Sequence, residues 1–110
     1  MSLKDAEKLK GFLVRIIDEH KAACRKHPKF CDNITGKLPK IVKKALADLR
    51  LENGAPPFYA DSILHEEFCE ALEAYQKGDK EQALHELAQC GAVIIRMMDF
   101  VACEIEKDKK

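Results

Sequence analysis

Apolar residues recur at three- and four-residue intervals along almost the whole of this 110-residue chain, and no window alternates with the period of two that a half-buried strand requires. That spacing predicts an all-α fold. A first helix is expected over residues 3–26, with Leu9, Phe12, Leu13, Ile16, Ile17, Ala23 and Cys24 on one stripe, Ser2 as its N-cap and Pro28 imposing its end. Residues 29–36 read as a polar loop closing on Thr35-Gly36. Leu38, Ile41, Val42, Ala45, Leu46 and Leu49 then mark a lysine-rich second helix that stops at Asn53-Gly54, a left-handed C-cap signal.

Ala55-Pro56-Pro57 cannot continue a helix, because proline lacks the amide donor and restricts the residue before it. Asp61 or Ser62 is expected to cap a third helix with core positions Leu64, Phe68, Ala71, Leu72 and Tyr75. Gly78 ends that helix, and Asp79 with Gln82 three residues later reads as a capping box opening the fourth, so the two form a tight antiparallel hairpin. The fourth helix carries Leu84, Leu87, Gly91, Ile94, Ile95, Met98, Val101 and Ile105 on a broad apolar face that Met97 and Ala102 widen. So wide a face predicts burial on two sides, hence a homo-oligomer, a dimer or a tetramer.

The length predicts one all-α domain over 1–110, made of a basic helical half (1–54), a linker (55–60) and an acidic hairpin (61–106). The 19 basic and 19 acidic side chains cancel, whereas a module that binds nucleic acid through its phosphates normally carries a basic excess. No nucleic-acid partner is expected. The cancellation hides a segregation: residues 1–50 hold 13 basic and 6 acidic side chains, residues 51–110 hold 6 and 13. The apolar runs near 92–95 and 97–103 are interrupted by Arg96 and Asp99, so no membrane partner is expected either. The opening residues carry acids before any apolar run, unlike a signal or transit peptide, and the five cysteines lack any C-x-x-C pair; both features predict a cytoplasmic protein with free thiols.

The hairpin holds the most informative pattern. Glu66-Glu67-x-x-Glu70 on the third helix is followed by Glu86-x-x-Gln89 on the fourth. Taking Phe68 and Leu87 as the centres of the two core stripes, Glu67/Glu70 and Glu86/Gln89 fall about 100° and 160° to the same side of each. Antiparallel packing would then gather three carboxylates and one amide oxygen across a groove. Such a cluster raises its own pKa values and repels itself unless a hard divalent cation accepts its oxygens, which points to Mg2+ or Mn2+. The competing reading is a solvated glutamate-rich face, the commonest fate of such residues; the matched second pair after a capped turn argues against it.

The block Ile63-Leu64-His65-Glu66-Glu67-x-x-Glu70, then Ala74, Gly78-Asp79 and Glu86-Leu87-Ala88-Gln89-x-x-Ala92-Val93, resembles the E-E-x-x-E and E-x-x-D signature of MazG-like all-α nucleotide pyrophosphohydrolases. It is most similar to small phage-type members whose second motif reads E-L-x-Q, and it covers about residues 61 to 100, with His27-Pro28 as a weaker likeness. The resemblance implies a four-helix MazG-like bundle that hydrolyses a nucleoside triphosphate between the α and β phosphates, giving a monophosphate and pyrophosphate. It implies Glu67, Glu70 and Glu86 as metal ligands, with Gln89 in the place of the usual aspartate. Glu66 and Glu67 become the catalytic pair, Glu66 holding a second ion or orienting water. An amide at Gln89 lacks the charge that strengthens metal binding, so weakened activity, or nucleotide binding without turnover, is a further expectation.

Other clusters compete less well. His20, Cys24, His27 and Cys31 are suitable zinc ligands, but His27 lies nearly two turns from His20, so a tetrahedral site needs the chain to fold back at Pro28. Lys37, Lys40, Lys43 and Lys44 form a basic sector with Arg25, Lys26 and Lys29; from it Lys26 and Lys29, together with Arg96, are the expected triphosphate contacts. Phe30, Phe58 and Tyr59 are loop aromatics able to stack on a base. The alternative from another class is a noncatalytic helical module for nucleotide binding or protein interaction.

Overall fold

A computed structural model describes residues 3–109, in an all-α fold of four helices: α1 (Leu3–Lys26), α2 (Pro39–Glu52), α3 (Ala60–Gln76) and α4 (Lys80–Asp108). Ser2, the expected first N-cap, lies outside the described residues. The chain divides into two compact units, Met1–Asn33 and Ile34–Lys110. In the first, Arg25 and Lys26 in the last turn of α1 complement its C-terminal dipole, the His27 amide donates to the Ala23 carbonyl, and the helix stops before Pro28 as its chemistry requires. No described helix is long and apolar enough to cross a membrane.

In the second unit α3 packs against both α2 and α4. Pro39 occupies the first turn of α2, where its missing amide costs nothing, and the extended Leu38 precedes it. Val42, Leu46 and Leu49 form the buried stripe of α2 and meet Cys69 and Leu72 of α3, with Ile34 and Ala45 at the edge. Leu38 and Ile41, expected in this core, are exposed instead.

Three further expectations are corrected. Asn53-Gly54 is not a left-handed cap: Asn53 has φ −85° and Gly78 carries the chain's positive φ among the described residues. The Asn53 side chain is used differently, donating from Nδ2 to the Ser62 carbonyl (3.0 Å) and to Glu66 Oε1 (2.9 Å), which ties the end of α2 to α3. Neither Asp61 nor Ser62 caps α3, because the helix already begins at Ala60 after an extended Tyr59. Asp61 sits in the first turn, where its charge suits the helix dipole, and Ser62 Oγ donates to Glu52 Oε1 at 2.7 Å.

The third correction concerns rotation. Phe68 and Leu87 are 41% and 39% exposed, while the buried residues of the hairpin outside the α2 cluster are Ala71, Ala74, Ala83, Glu86 and Cys90. Leu84, Ile94, Val101 and Ile105 are exposed as well. In α4 the buried line is turned by about one residue, or 100°, from the orientation that its bulkiest side chains suggest, whereas in α3 the expected core positions Ala71 and Leu72 are buried. Small residues let α3 and α4 approach closely, and the large apolar groups are displaced to the rim.

The expected turn between them forms. Gly78 at φ 84° lets its own amide donate to the Tyr75 carbonyl and the Asp79 amide to the Ala74 carbonyl, the paired bonds of a Schellman ending. Asp79 Oδ1 then accepts from the Gln82 amide at 3.0 Å, capping α4. Replacing Leu46, 1% exposed, by Ala is expected to cost about 2–5 kcal/mol in urea unfolding. Gly78→Ala meets no atom within 4 Å, so its cost is the left-handed backbone alone, about 1–2 kcal/mol.

Candidate metal centre

The close approach of α3 and α4 sets the position of each carboxylate. Glu67 and Glu70 stand three residues apart on α3, and Glu86 and Gln89 repeat that spacing on α4. One oxygen from each of Glu67, Glu70 and Glu86 lies within 4.8 Å of the others. In α4 the shifted buried line puts Glu86 nearer the interhelical seam than the flank expected for it. Glu86 is buried, 8% exposed, in line with Ala83 and Cys90.

Hydrogen bonds hold the group. Gln82 Nε2 donates to Glu86 Oε1 at 2.7 Å. Gln82 was expected to close a capping box on the Asp79 amide, but that amide is taken by Ala74, and the Gln82 side chain turns along the helix to Glu86 instead. Oriented by its partners, the Gln89 amide donates to Glu67 Oε2 (2.9 Å) and Glu86 Oε2 (2.7 Å), while its oxygen accepts from His85 Nε2 at 3.3 Å. Glu66 is held by Asn53. Sequence reasoning assigned Asn53, Gln82 and His85 no place here; for Gln82 and His85 the signal was their i, i+4 spacing to Glu86 and Gln89.

The electrostatics follow from burial and like charge. Burial, then the charges of Glu67 and Glu86, push the Glu70 carboxyl up to about 7 from its ordinary 4.5, with Glu66 adding to the effect. Glu67 is raised chiefly by burial, then by Glu86 and Glu66. The Cys90 thiol beneath is also raised, first by burial and then by these carboxylates, so it stays protonated and unreactive.

The donor set fits a hard divalent cation. Bonds of about 2.0–2.1 Å to magnesium put opposing ligand oxygens about 4.2 Å apart, and calcium's longer bonds extend that to about 4.8 Å. The cluster is of that size, and it already holds the three oxygens at the expense of raised proton affinity.

Arg96 lines a separate apolar cavity with Phe58 and Tyr59. Lys26 ends α1 and Lys29 pairs with Asp32 at 2.6 Å, both within the first unit. His20 and Cys24 approach to 3.6 Å on adjacent turns of α1. Among the described residues the group of three side chains placed to hold a metal ion is Glu67, Glu70 and Glu86. Comparisons of the chain with protein-family models, with curated proteins and with solved structures find no match.

The raised Glu70 pKa carries a sign. A carboxyl at about 7 in the fold and 4.5 unfolded contributes stability that is full below 4.5 and lost as pH rises through 7. In EDTA, the Tm of the protein is expected to fall between pH 5.5 and 8, and Glu70→Gln to flatten that slope. Millimolar Mg2+ or Mn2+ should restore the loss at pH 8, where the ligands are ionised. A Tm in EDTA that does not fall over this range contradicts the assignment.

Proposed function

We propose that this chain is a metal-dependent nucleoside triphosphate pyrophosphohydrolase of the MazG-like kind, cytoplasmic, converting an NTP or dNTP and water to the monophosphate and pyrophosphate. The observation that carries the reading is the meeting of Glu67, Glu70 and Glu86 within 4.8 Å across the hairpin, with Gln89 between them. Glu67, Glu70 and Glu86 would hold Mg2+ or Mn2+, and Gln89 would offer its amide oxygen in the orientation that points its nitrogen to His85. The ion supplies positive charge to the phosphates and lowers the pKa of water at the site. Glu66, fixed by Asn53, orients the water that attacks the α phosphorus. The water oxygen bonds to the α phosphorus as the α–β bridge breaks, its proton passes to the Glu66 carboxylate, and pyrophosphate leaves. No covalent nucleophile is needed.

A second reading has one observation in its favour. With its nitrogen inward, Gln89 donates to two carboxylates of the cluster without any ion, as suits a noncatalytic nucleotide-binding or protein-interaction module. Pyrophosphate release from a panel of ribo- and deoxynucleotides, with Mg2+ or Mn2+, separates the two. The hydrolase reading predicts release that Glu67→Gln or Glu86→Gln lowers at least about 100-fold, since even groups that only support a ligand are worth 10–100-fold. Gln89→Asp should shift half-maximal activity to lower metal concentration. No release from any nucleotide and no metal-dependent shift in Tm would sink the reading. It also includes a homo-oligomer, dimer or tetramer, in which the exposed Leu84, Leu87 and Ile94 of α4 meet a second copy; a monomer in sedimentation velocity removes that part.

A further inference from the structure

The first unit, Met1–Asn33, has no core of its own: Leu13, Ile16 and Ile17 of the α1 stripe are exposed, and among the described residues of the unit none is buried. A unit shorter than about 40 residues usually needs a disulfide, a metal or association to hold its fold. Its two cysteines, Cys24 and Cys31, are free. We propose that the C-terminal end of this unit is a zinc site, with His20, Cys24, His27 and Cys31 as its four ligands. The site uses none of the residues of the carboxylate cluster and does not depend on how that cluster is read.

Distance is the first ground. His20 and Cys24 stand four residues apart on one face of α1, and Cys24 Sγ lies 3.6 Å from His20 Nε2. Zinc bonds of about 2.3 Å to sulfur and about 2.0–2.1 Å to nitrogen, opened to the tetrahedral angle, put those two atoms about 3.5–3.6 Å apart. The pair is already at chelating separation. A thiol–imidazole hydrogen bond has the same span, but it does not account for the two further donors that follow.

Register and the loop supply those donors. The His27 amide still donates to the Ala23 carbonyl at 2.8 Å, so His27 keeps helical register although α1 ends at Lys26. Steps of four and three residues place His20, Cys24 and His27 on one face, and Cα–Cβ bonds tilt towards a helix's N-terminus, the direction from His27 to Cys24. The chain then bends at Pro28 and Lys29, and Lys29 Nζ donates to Asp32 Oδ1 at 2.6 Å across Cys31. Four residues beyond His27, Cys31 has up to about 14 Å of chain in which to return to the Cys24 turn. In the fold described above the four donors are not gathered; the ion gathers them by turning the exposed His27 side chain and closing the exposed loop onto α1. Two imidazoles with two thiols select zinc over the hard cations that suit carboxylates. Both thiols release their protons to solvent on binding, and the two thiolates cancel the charge of the ion, so no net charge is added beside Arg25 and Lys26.

Cobalt titration of the reduced full chain tests the site, because thiolate bound to Co2+ absorbs in the near ultraviolet and a tetrahedral ion gives strong visible bands, whereas d10 zinc is silent. One Co2+ per chain is expected, displaced by an equivalent of Zn2+. Cys24→Ser and Cys31→Ser should each remove about half of the thiolate absorption. Each of these, and His20→Ala or His27→Ala, should weaken binding at least about tenfold, since even groups that only support a metal ligand are worth about 10–100-fold. Cys103→Ser should leave the titration unchanged. Zinc should slow amide hydrogen exchange over residues 20–31 in the parent chain and not in Cys24→Ser. All four side chains are exposed, so variants that keep the parent's Tm in EDTA are correctly folded. No thiolate absorption, or affinity that Cys31→Ser or His27→Ala retains in full, overturns the proposal. One Co2+ for two chains, with a dimer in sedimentation velocity that forms only with the metal, overturns it too, since His20 and Cys24 then share the ion with the same pair of a second copy.

Discussion

The turn at Gly78 fixes the register on which the rest of the second unit depends. Its positive φ lets the Tyr75 and Ala74 carbonyls collect the Gly78 and Asp79 amides, and the occupied Asp79 amide leaves Gln82 without the partner that a capping box would supply. Gln82 then donates to Glu86 four residues on, so one run of hydrogen bonds leads from the turn into the carboxylate cluster. Caps of this kind are worth about 1 kcal/mol each, modest beside core burial. Their larger effect here is positional. A slip of one residue would carry Glu67, Glu70, Glu86 and Gln89 about 100° around their axes and disperse them.

Packing alone does not ask for a glutamate at position 86. Its neighbours in the buried line of α4 are Ala83 and Cys90, and an alanine there would fill the same seam without a charge to desolvate. The carboxylate is retained next to two others, with the Glu70 carboxyl pushed up to about 7 as the visible cost. Two amides, from Gln82 and Gln89, offset part of it, and near neutral pH a proton on Glu70 offsets more. Stability is thus surrendered where three carboxylates able to hold a metal ion are gathered.

The parts of this structure that depend on local chemistry were legible in the sequence. The end of α1 before Pro28, the Gly78 turn, the Asp79 cap and the acidic i, i+3 pairs could all be read from residue types at short spacing. The parts that depend on size complementarity between helices were not. Phe68 and Leu87 carry more apolar area than Ala71 or Ala83, so a reading weighted by hydrophobicity centres the stripes on them, whereas close approach of two helices selects the smaller residues. Asn53 illustrates a related gap: its type matched a helix ending, but its amide is engaged by Ser62 and Glu66, partners that only the packing of α2 on α3 supplies. Arg96, expected at a triphosphate by its helical angle, stands three residues beyond Val93 and lines a cavity with Phe58 and Tyr59.

Gln89 is the residue at which these constraints conflict most directly. An aspartate there would bring a fourth carboxylate to within hydrogen-bond distance of Glu67 and Glu86, and without a cation at least one more proton would have to be taken up to relieve it. An amide serves either state. Nitrogen inward, it donates to two carboxylates and binds His85 through its oxygen; turned over, it presents a neutral oxygen to a cation and its nitrogen to the His85 ring, whose tautomer can follow. The exchange lowers the cost of the metal-free fold and gives up part of the charge that would hold a divalent ion.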